Sequence, residues 1–210
     1  MTPADDGRIV LVHGLWLNSV AMLLLGRRLE RCGFAVTRHG YQSVRRGLRE
    51  NARRLAAVCE KSGPSLNLVG HSLGGLLIMT MLHNHPQVRV HRVVLLGSPY
   101  ANSAAALGMA RFATSRGMLG RTIQDWLRQP RPPIPDGVEL GVIAGDLSIG
   151  LGRLVARLPK PNDGVVILNE TCVPGAADSI VMHTSHTLML VSPAVARATC
   201  AFLRTGSFGQ

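Results

Sequence analysis

Short apolar runs rich in branched residues alternate along this chain with longer stretches in which apolar positions recur at helical spacing. Residues 8–12, 34–39, 66–69, 90–96, 139–144 and 178–182 predict strands, and residues 19–31, 44–60, 74–84 and 193–203 predict helices. Strands that alternate with helices require an α/β fold, a doubly wound and mostly parallel sheet flanked by helices, with right-handed crossovers. A length of 210 residues without internal repeats fits one domain over the whole chain. Residues 100–136 break the rhythm with small residues, a short helical pattern and a proline-rich run. An insertion there sits above the carboxyl rim of the sheet, and a small cap or lid is expected, with Ala104, Ala105, Ala106, Leu107 and Met109 as its apolar underside. A surface helix with a proline-rich connector fits the same residues.

The chemistry begins at Gly70-His71-Ser72-Leu73-Gly74-Gly75, which joins the strand pattern at 66–69 to the apolar helix pattern that ends at His85-Pro86. A serine between two glycines at a strand-to-helix turn is the sequence form of a nucleophile elbow. Gly70 and Gly74 leave room where a larger side chain would strike the neighbouring strand or helix, and His71 completes the turn. The helix that follows aims free backbone N–H groups at the serine hydroxyl.

A serine needs a base, and in an elbow arrangement the order along the chain is serine, acid, histidine. His83, His85 and His91 fall in or just after the helix behind the elbow, which leaves His183 and His186. His186 lies beyond the last strand, where a base belongs, and His183 reads as a structural histidine nearer the strand. Two acids fit by position. Asp146 follows the strand at 139–144, and Asp163 sits in the turn Asn162-Asp163-Gly164, and spacing alone does not separate them.

Taken together, Val10-Leu11-Val12-His13-Gly14-Leu15, the elbow, Asn162-Asp163-Gly164-Val165-Val166 and Val181-Met182-His183-Thr184-Ser185-His186-Thr187 resemble the small bacterial lipases and esterases of the α/β-hydrolase superfamily. The resemblance implies a minimal α/β-hydrolase fold and a catalytic Ser72, Asp163 and His186, with Asp146 as the second candidate acid. It also assigns an oxyanion hole to the backbone N–H groups of Leu15 and Leu73. The turn at His13-Gly14 brings the first of these toward the nucleophile, and His13 is expected to fix that turn by hydrogen bonding rather than to react. Trp16 and Tyr100 are expected in the substrate pocket. A carboxylic ester is the expected substrate, cleaved through an acyl-enzyme, with neither metal nor organic cofactor. The same triad also serves thioesterases, amidases and acyltransferases, and a silent relative would act as a binding module.

Composition changes this picture at two points. Lysine and arginine number 23 against 12 acids, a net charge of +11, and Arg45, Arg46, Arg49, Arg53 and Arg54 fall on one predicted helix. No helix-turn-helix, zinc spacing or aromatic platform accompanies them, so no nucleic acid is expected, and weak attraction to an anionic lipid surface is the functional reading retained. The four cysteines, Cys32, Cys59, Cys172 and Cys200, match no metal spacing and read as reduced thiols. With aromatic residues at only 4%, packing must rely on aliphatic side chains, and both tryptophans are free for surface or pocket roles. The start Met1-Thr2-Pro3-Ala4-Asp5-Asp6 shows no leader pattern, and cytoplasmic residence is expected.

Overall fold

The computed structural model describes residues 7–63, 66–110, 113–150 and 158–209. Six strands form one sheet, β1 (Arg8–Val12), β2 (Ala35–His39), β3 (Leu66–His71), β4 (Arg92–Leu96), β5 (Glu139–Gly145) and β6 (Asp178–Met182). Their order is β2-β1-β3-β4-β5-β6 and every pairing is parallel. The helices are α1 (Leu23–Arg31), α2 (Leu48–Cys59), α3 (Leu73–Asn84), α4 (Ala104–Ala110), α5 (Ala113–Arg128) and α6 (Pro193–Thr205). The doubly wound, mostly parallel sheet expected from the sequence is the architecture found.

Alternation along each strand sends side chains to two separate layers. Val10 and Val12 of β1 join Leu68 and Val93 on the face covered by α2, α3 and the second half of α5. Ile9 and Leu11 join Val69 and Val94 on the face covered by α1 and α6. Because helices cover both faces, β3 is buried along its whole length, and so is α3 from Leu73 to Leu82.

Element boundaries moved where capping chemistry lay far away in sequence. The helix expected from residue 44 begins at Leu48, whose N–H donates to Asp125 Oδ2 at 2.9 Å, a cap supplied from α5. Arg45 and Arg46 therefore precede α2, while Arg49, Arg53 and Arg54 lie exposed on it, and Arg46 pairs with Glu50 at 3.3 Å. The helix expected from residue 19 opens as a 3-10 turn, Ser19–Met22, capped by Asn18, whose Oδ1 accepts from Val20 N–H at 2.9 Å. β3 runs two residues past its expected end, to His71, and so delivers the next residue at the rim.

Residues 100–136 divide at Gly120, whose φ of +71° interrupts α5. Beyond it the segment is bound down. Thr122 donates to the Arg46 carbonyl at 2.9 Å and accepts from Asn51 Nδ2 at 3.0 Å. Trp126 is fully buried, with the Arg131 guanidinium 4.8 Å above its ring, so this tryptophan belongs to the core and not to surface or pocket. Of the expected apolar underside, the Met109 side chain lies outside what is described.

The reading of four reduced thiols is overturned. Cys32, at the end of α1, is bonded to Cys200 of α6 with Cα atoms 6.5 Å apart, while Cys59 is buried and free and Cys172 is exposed and free. The pairing joins residues 168 apart in sequence, a distance at which spacing carries no information. Among the described residues no helix is long and apolar enough to cross a membrane.

Candidate active site

Ser72 stands at the N-cap of α3, between β3 and that helix, with φ 54°. A side chain tolerates this conformation poorly, at a cost of about 1–3 kcal/mol, and the surroundings must enforce it. They do so by contact. Ser72 N–H donates to the Leu96 carbonyl of β4 at 2.8 Å, and the glycines let β1 and the first turn of α3 close in. A β-carbon on Gly74 would lie 2.2 Å from the Val12 carbonyl oxygen, and one on Gly70 would lie 2.6 Å from Gly75 Cα. Leu73, the first residue of α3, and Leu15 line the same cavity as Ser72.

His186 and Asp163 meet at the carboxyl rim from two loops. His186 Nδ1–H donates to Asp163 Oδ2 at 2.7 Å, and both side chains are buried. The other carboxylate oxygen, Oδ1, accepts from the N–H groups of Val165 at 2.9 Å and Val166 at 2.7 Å. His186 N–H also donates to the Asp163 carbonyl at 2.8 Å, so the two loops are locked at backbone and side chain together. Gly97 makes room for the pair. A β-carbon there would lie 3.0 Å from Asp163 Oδ2 and 3.1 Å from His186 Nδ1, and its φ of +54° disfavours any other residue.

The competing acid and histidine find each other instead. Asp146 Oδ1 lies 2.9 Å from His183 Nδ1, with the Asp146 and His183 side chains 39% and 77% exposed. The four residues thus sort into one buried pair, whose histidine lines the same cavity as Ser72, and one solvated pair that does not line it.

Two further histidines hold the frame. His71 Nε2–H donates to the His186 carbonyl at 3.0 Å, and its ring lies 4.7 Å from that of His186. Burial, and after it the neighbouring His186, lower the His71 pKa to about 3, so the ring is neutral and its Nδ1 faces Gly14, where a β-carbon would lie 3.0 Å away. His13 Nδ1–H donates to the Gly14 carbonyl at 2.9 Å, while its Nε2 accepts from Tyr41 N–H at 3.3 Å. Tyr41 returns a hydrogen bond to the His13 carbonyl at 3.0 Å and stacks on the ring at 4.4 Å. Burial lowers the His13 pKa against the pull of the Gly14 carbonyl. His13 therefore fixes the turn before Leu15 as a neutral hydrogen-bonding group.

These residues enclose a cavity of about 330 Å³. Leu15, Trp16, Leu73, Ile123, Val165 and Val166 supply apolar walls, Ser72 and His186 both reach it, and among the described residues no aspartate, glutamate, lysine or arginine lines it. Trp16, half exposed with φ 58°, donates its N–H to Ser43 Oγ at 3.3 Å. Tyr100 does not line the cavity. Its hydroxyl donates to the Pro132 carbonyl at 2.8 Å and its ring packs on Trp126 at 5.9 Å, because the ring follows the buried tryptophan and not the rim. Ser103, Ala105 and Ala106, from the start of the 100–136 segment, form another wall. Gly97 and the N–H groups of Val165 and Val166 were not foreseen, since backbone donors leave no trace in residue identity. Among the described residues, no three or more His, Cys, Asp or Glu side chains gather as a metal site would need.

Comparison with known proteins agrees with this geometry at the level of fold. Residues 9–201 match the model of the alpha/beta hydrolase family. The lipase BlEst2 of Bacillus licheniformis superposes with a TM-score of 0.80 at 18% identity, over 99% of this chain and 94% of that one. A carboxylesterase, CesB of Bacillus subtilis, gives 0.59 at 16% identity over 98% and 86%. The RedJ thioesterase of the prodiginine pathway in Streptomyces coelicolor gives 0.62 at 18% over 97% and 86%. No curated protein sequence matches significantly. With a six-stranded parallel sheet, a strained serine at the end of β3 and a family match over nearly its full length, this chain belongs to the alpha/beta hydrolase family.

Proposed function

We propose that this protein is a serine hydrolase that cleaves carboxylic esters with an apolar acyl group. The observation that carries the reading is the shared cavity: a strained serine and a carboxylate-held histidine reach one space with largely apolar walls. Ser72 Oγ attacks the ester carbonyl while His186 Nε2 takes its proton. Asp163 holds the imidazole with Nδ1 protonated and stabilises the imidazolium that forms. The negative charge on the former carbonyl oxygen is met by the N–H groups of Leu15 and Leu73, and the protonated His186 then delivers its proton to the departing alcohol. Water, deprotonated by the same histidine, attacks the acyl-enzyme and releases the acid and Ser72. No step calls for a metal or an organic cofactor.

The cavity volume is near the lower end of ligand pockets, which favours small or medium acyl groups. The apolar side chains described around it favour an apolar acyl chain. The whole chain acts as one domain, and within 100–136 the stretch before Gly120 acts as a small cap in which Ser103, Ala105 and Ala106 supply a wall over the acyl group. The exposed arginines of α2 favour weak attraction to an anionic lipid surface over nucleic acid. The Cys32–Cys200 bridge favours an oxidising compartment over the cytoplasm.

The test is hydrolysis of a chromogenic ester series, from acetate to long-chain acyl, by the wild type and by Ser72→Ala. Activity on short or medium esters that disappears in the variant supports the reading. A folded wild type inactive on every ester contradicts it, and activity on acyl thioesters would then move the assignment to a thioesterase.

A further inference from the structure

One buried acid has no part in the steps above. Glu170 lies in the 3-10 turn Leu168–Thr171 and is 7% exposed. Its two carboxylate oxygens accept from two separate segments, Oε1 from the N–H of Ala104, the first residue of α4, and Oε2 from the N–H of Ile167 at 3.0 Å. The Glu170 carbonyl accepts a third bond, from Ala101 N–H at 2.9 Å. Both partners of the carboxylate adjoin lining residues of the cavity. Ala104 is flanked by the lining residues Ser103, Ala105 and Ala106, and Ile167 directly follows the lining residues Val165 and Val166.

We propose that Glu170 is a specificity-determining positioning residue, whose carboxylate ties the α4 wall of the acyl cavity to the Val165–Val166 wall and so sets the cavity's width. The proposal rests on the ester-hydrolase reading given above. A carboxyl group is costly in this place, since burial raises its pKa, the two backbone donors lower it, and the nearby Asp163 charge raises it again. An apolar side chain would fill the volume without that cost, but would leave two partly buried N–H groups without their acceptor. The tie makes no hydrogen bond to the reacting groups. Ser72 is held through Leu96, and Asp163 and His186 through each other and through Val165 and Val166, none of them by a bond to Glu170. Loss of the tie should therefore change how an acyl chain fits more than how the serine reacts.

Two substitutions probe the tie from its two ends. Glu170→Gln keeps one acceptor and turns an amide NH2 toward a backbone donor, releasing one wall. Ala104→Pro removes only the α4 N–H, at a first helical position where proline fits. For the full-length wild type and both variants, kcat and KM are measured on p-nitrophenyl esters from acetate to dodecanoate. Labelling rates of Ser72 by short and long alkyl fluorophosphonates are measured alongside. The expected result is a change of about tenfold in the long-to-short ratio of kcat/KM, carried mainly by KM, in both variants. Short-chain fluorophosphonate labelling should stay within about threefold of wild type.

An unchanged chain-length profile in folded variants, or a uniform fall in kcat on all esters, overturns the proposal. If one variant is unfolded the other decides, and unfolding of both assigns Glu170 to stability alone and overturns it as well. Should the wild type hydrolyse no ester while Ser72 still reacts with fluorophosphonate, the ester reading fails by itself. The long-to-short labelling ratio then decides on Glu170.

Discussion

Asp163 and Asp146 are both rim aspartates beside a histidine, and what separates them is burial and backbone donors. Asp163 accepts from His186 and from two N–H groups in a buried site, whereas Asp146 pairs with His183 in solvent. If Asp163 orients the base, Asp163→Asn should lower kcat by about 10⁴, because the amide selects the wrong tautomer. Asp146→Asn should leave kcat within about threefold, as an exposed pair contributes little. A steady-state comparison of the two variants on one ester checks this, and equal losses would dissolve the assignment. The buried histidines give a second expectation. His39 has its pKa lowered to about 4 by burial, with smaller contributions from His13 and Arg54, and His71 lies at about 3. Both are neutral when folded and take up protons on unfolding below their ordinary pKa of 6.5. Stability is therefore undiminished above pH 6.5 and falls as the pH drops toward the folded values. The slope approaches about 1.4 kcal/mol per pH unit for each histidine. Thermal melts between pH 7 and pH 4 should show Tm falling, and a flat profile would count against neutral burial of these rings.

At the scale of elements, the elbow works because β1, β3 and α3 approach more closely than side chains allow. Gly74→Ala drives a methyl group into the Val12 carbonyl, a backbone atom that cannot swing aside. Its expected cost is about 3 kcal/mol or more, a fall in Tm of about 6 °C or more by calorimetry. A neutral Gly74→Ala would mean the elbow is looser than described. The same elements show why some of the fold was legible beforehand. The inner strands β1, β3, β4 and β5 were readable because buried parallel strands are short apolar runs bounded by turn residues, and the half-exposed edge strands β2 and β6 because branched residues recur in them. The elbow was readable because its glycines and serine are demanded by local geometry. Other features depend on distant partners, and so escaped. The start of α2 is set by Asp125 of α5, and Tyr100 turns from the rim because Trp126 is buried beneath it.

For the whole molecule the Cys32–Cys200 bridge is the least local feature, joining α1 to α6 across nearly the full chain on one face of the sheet. Closing so long a loop limits the unfolded chain, and the stabilisation expected is about 3–5 kcal/mol. Reduction of the folded protein, or the double change Cys32→Ala with Cys200→Ala, should lower Tm by about 10 °C, with the hydrolase site intact at moderate temperature. An unaltered Tm would show that the bridge carries little of the stability. The bridge lies behind the sheet from α2 and α3, so the face that delivers Ser72 does not depend on it.

The central claim is that Ser72 carries the acyl group, and intact-mass spectrometry of rapidly quenched mixtures of protein and p-nitrophenyl ester tests it directly. The account predicts a mass increase equal to one acyl group, mapped by peptide analysis to Ser72, formed during a burst of p-nitrophenol and absent from Ser72→Ala. Ester turnover with no adduct on Ser72, or undiminished turnover by Ser72→Ala, would contradict it.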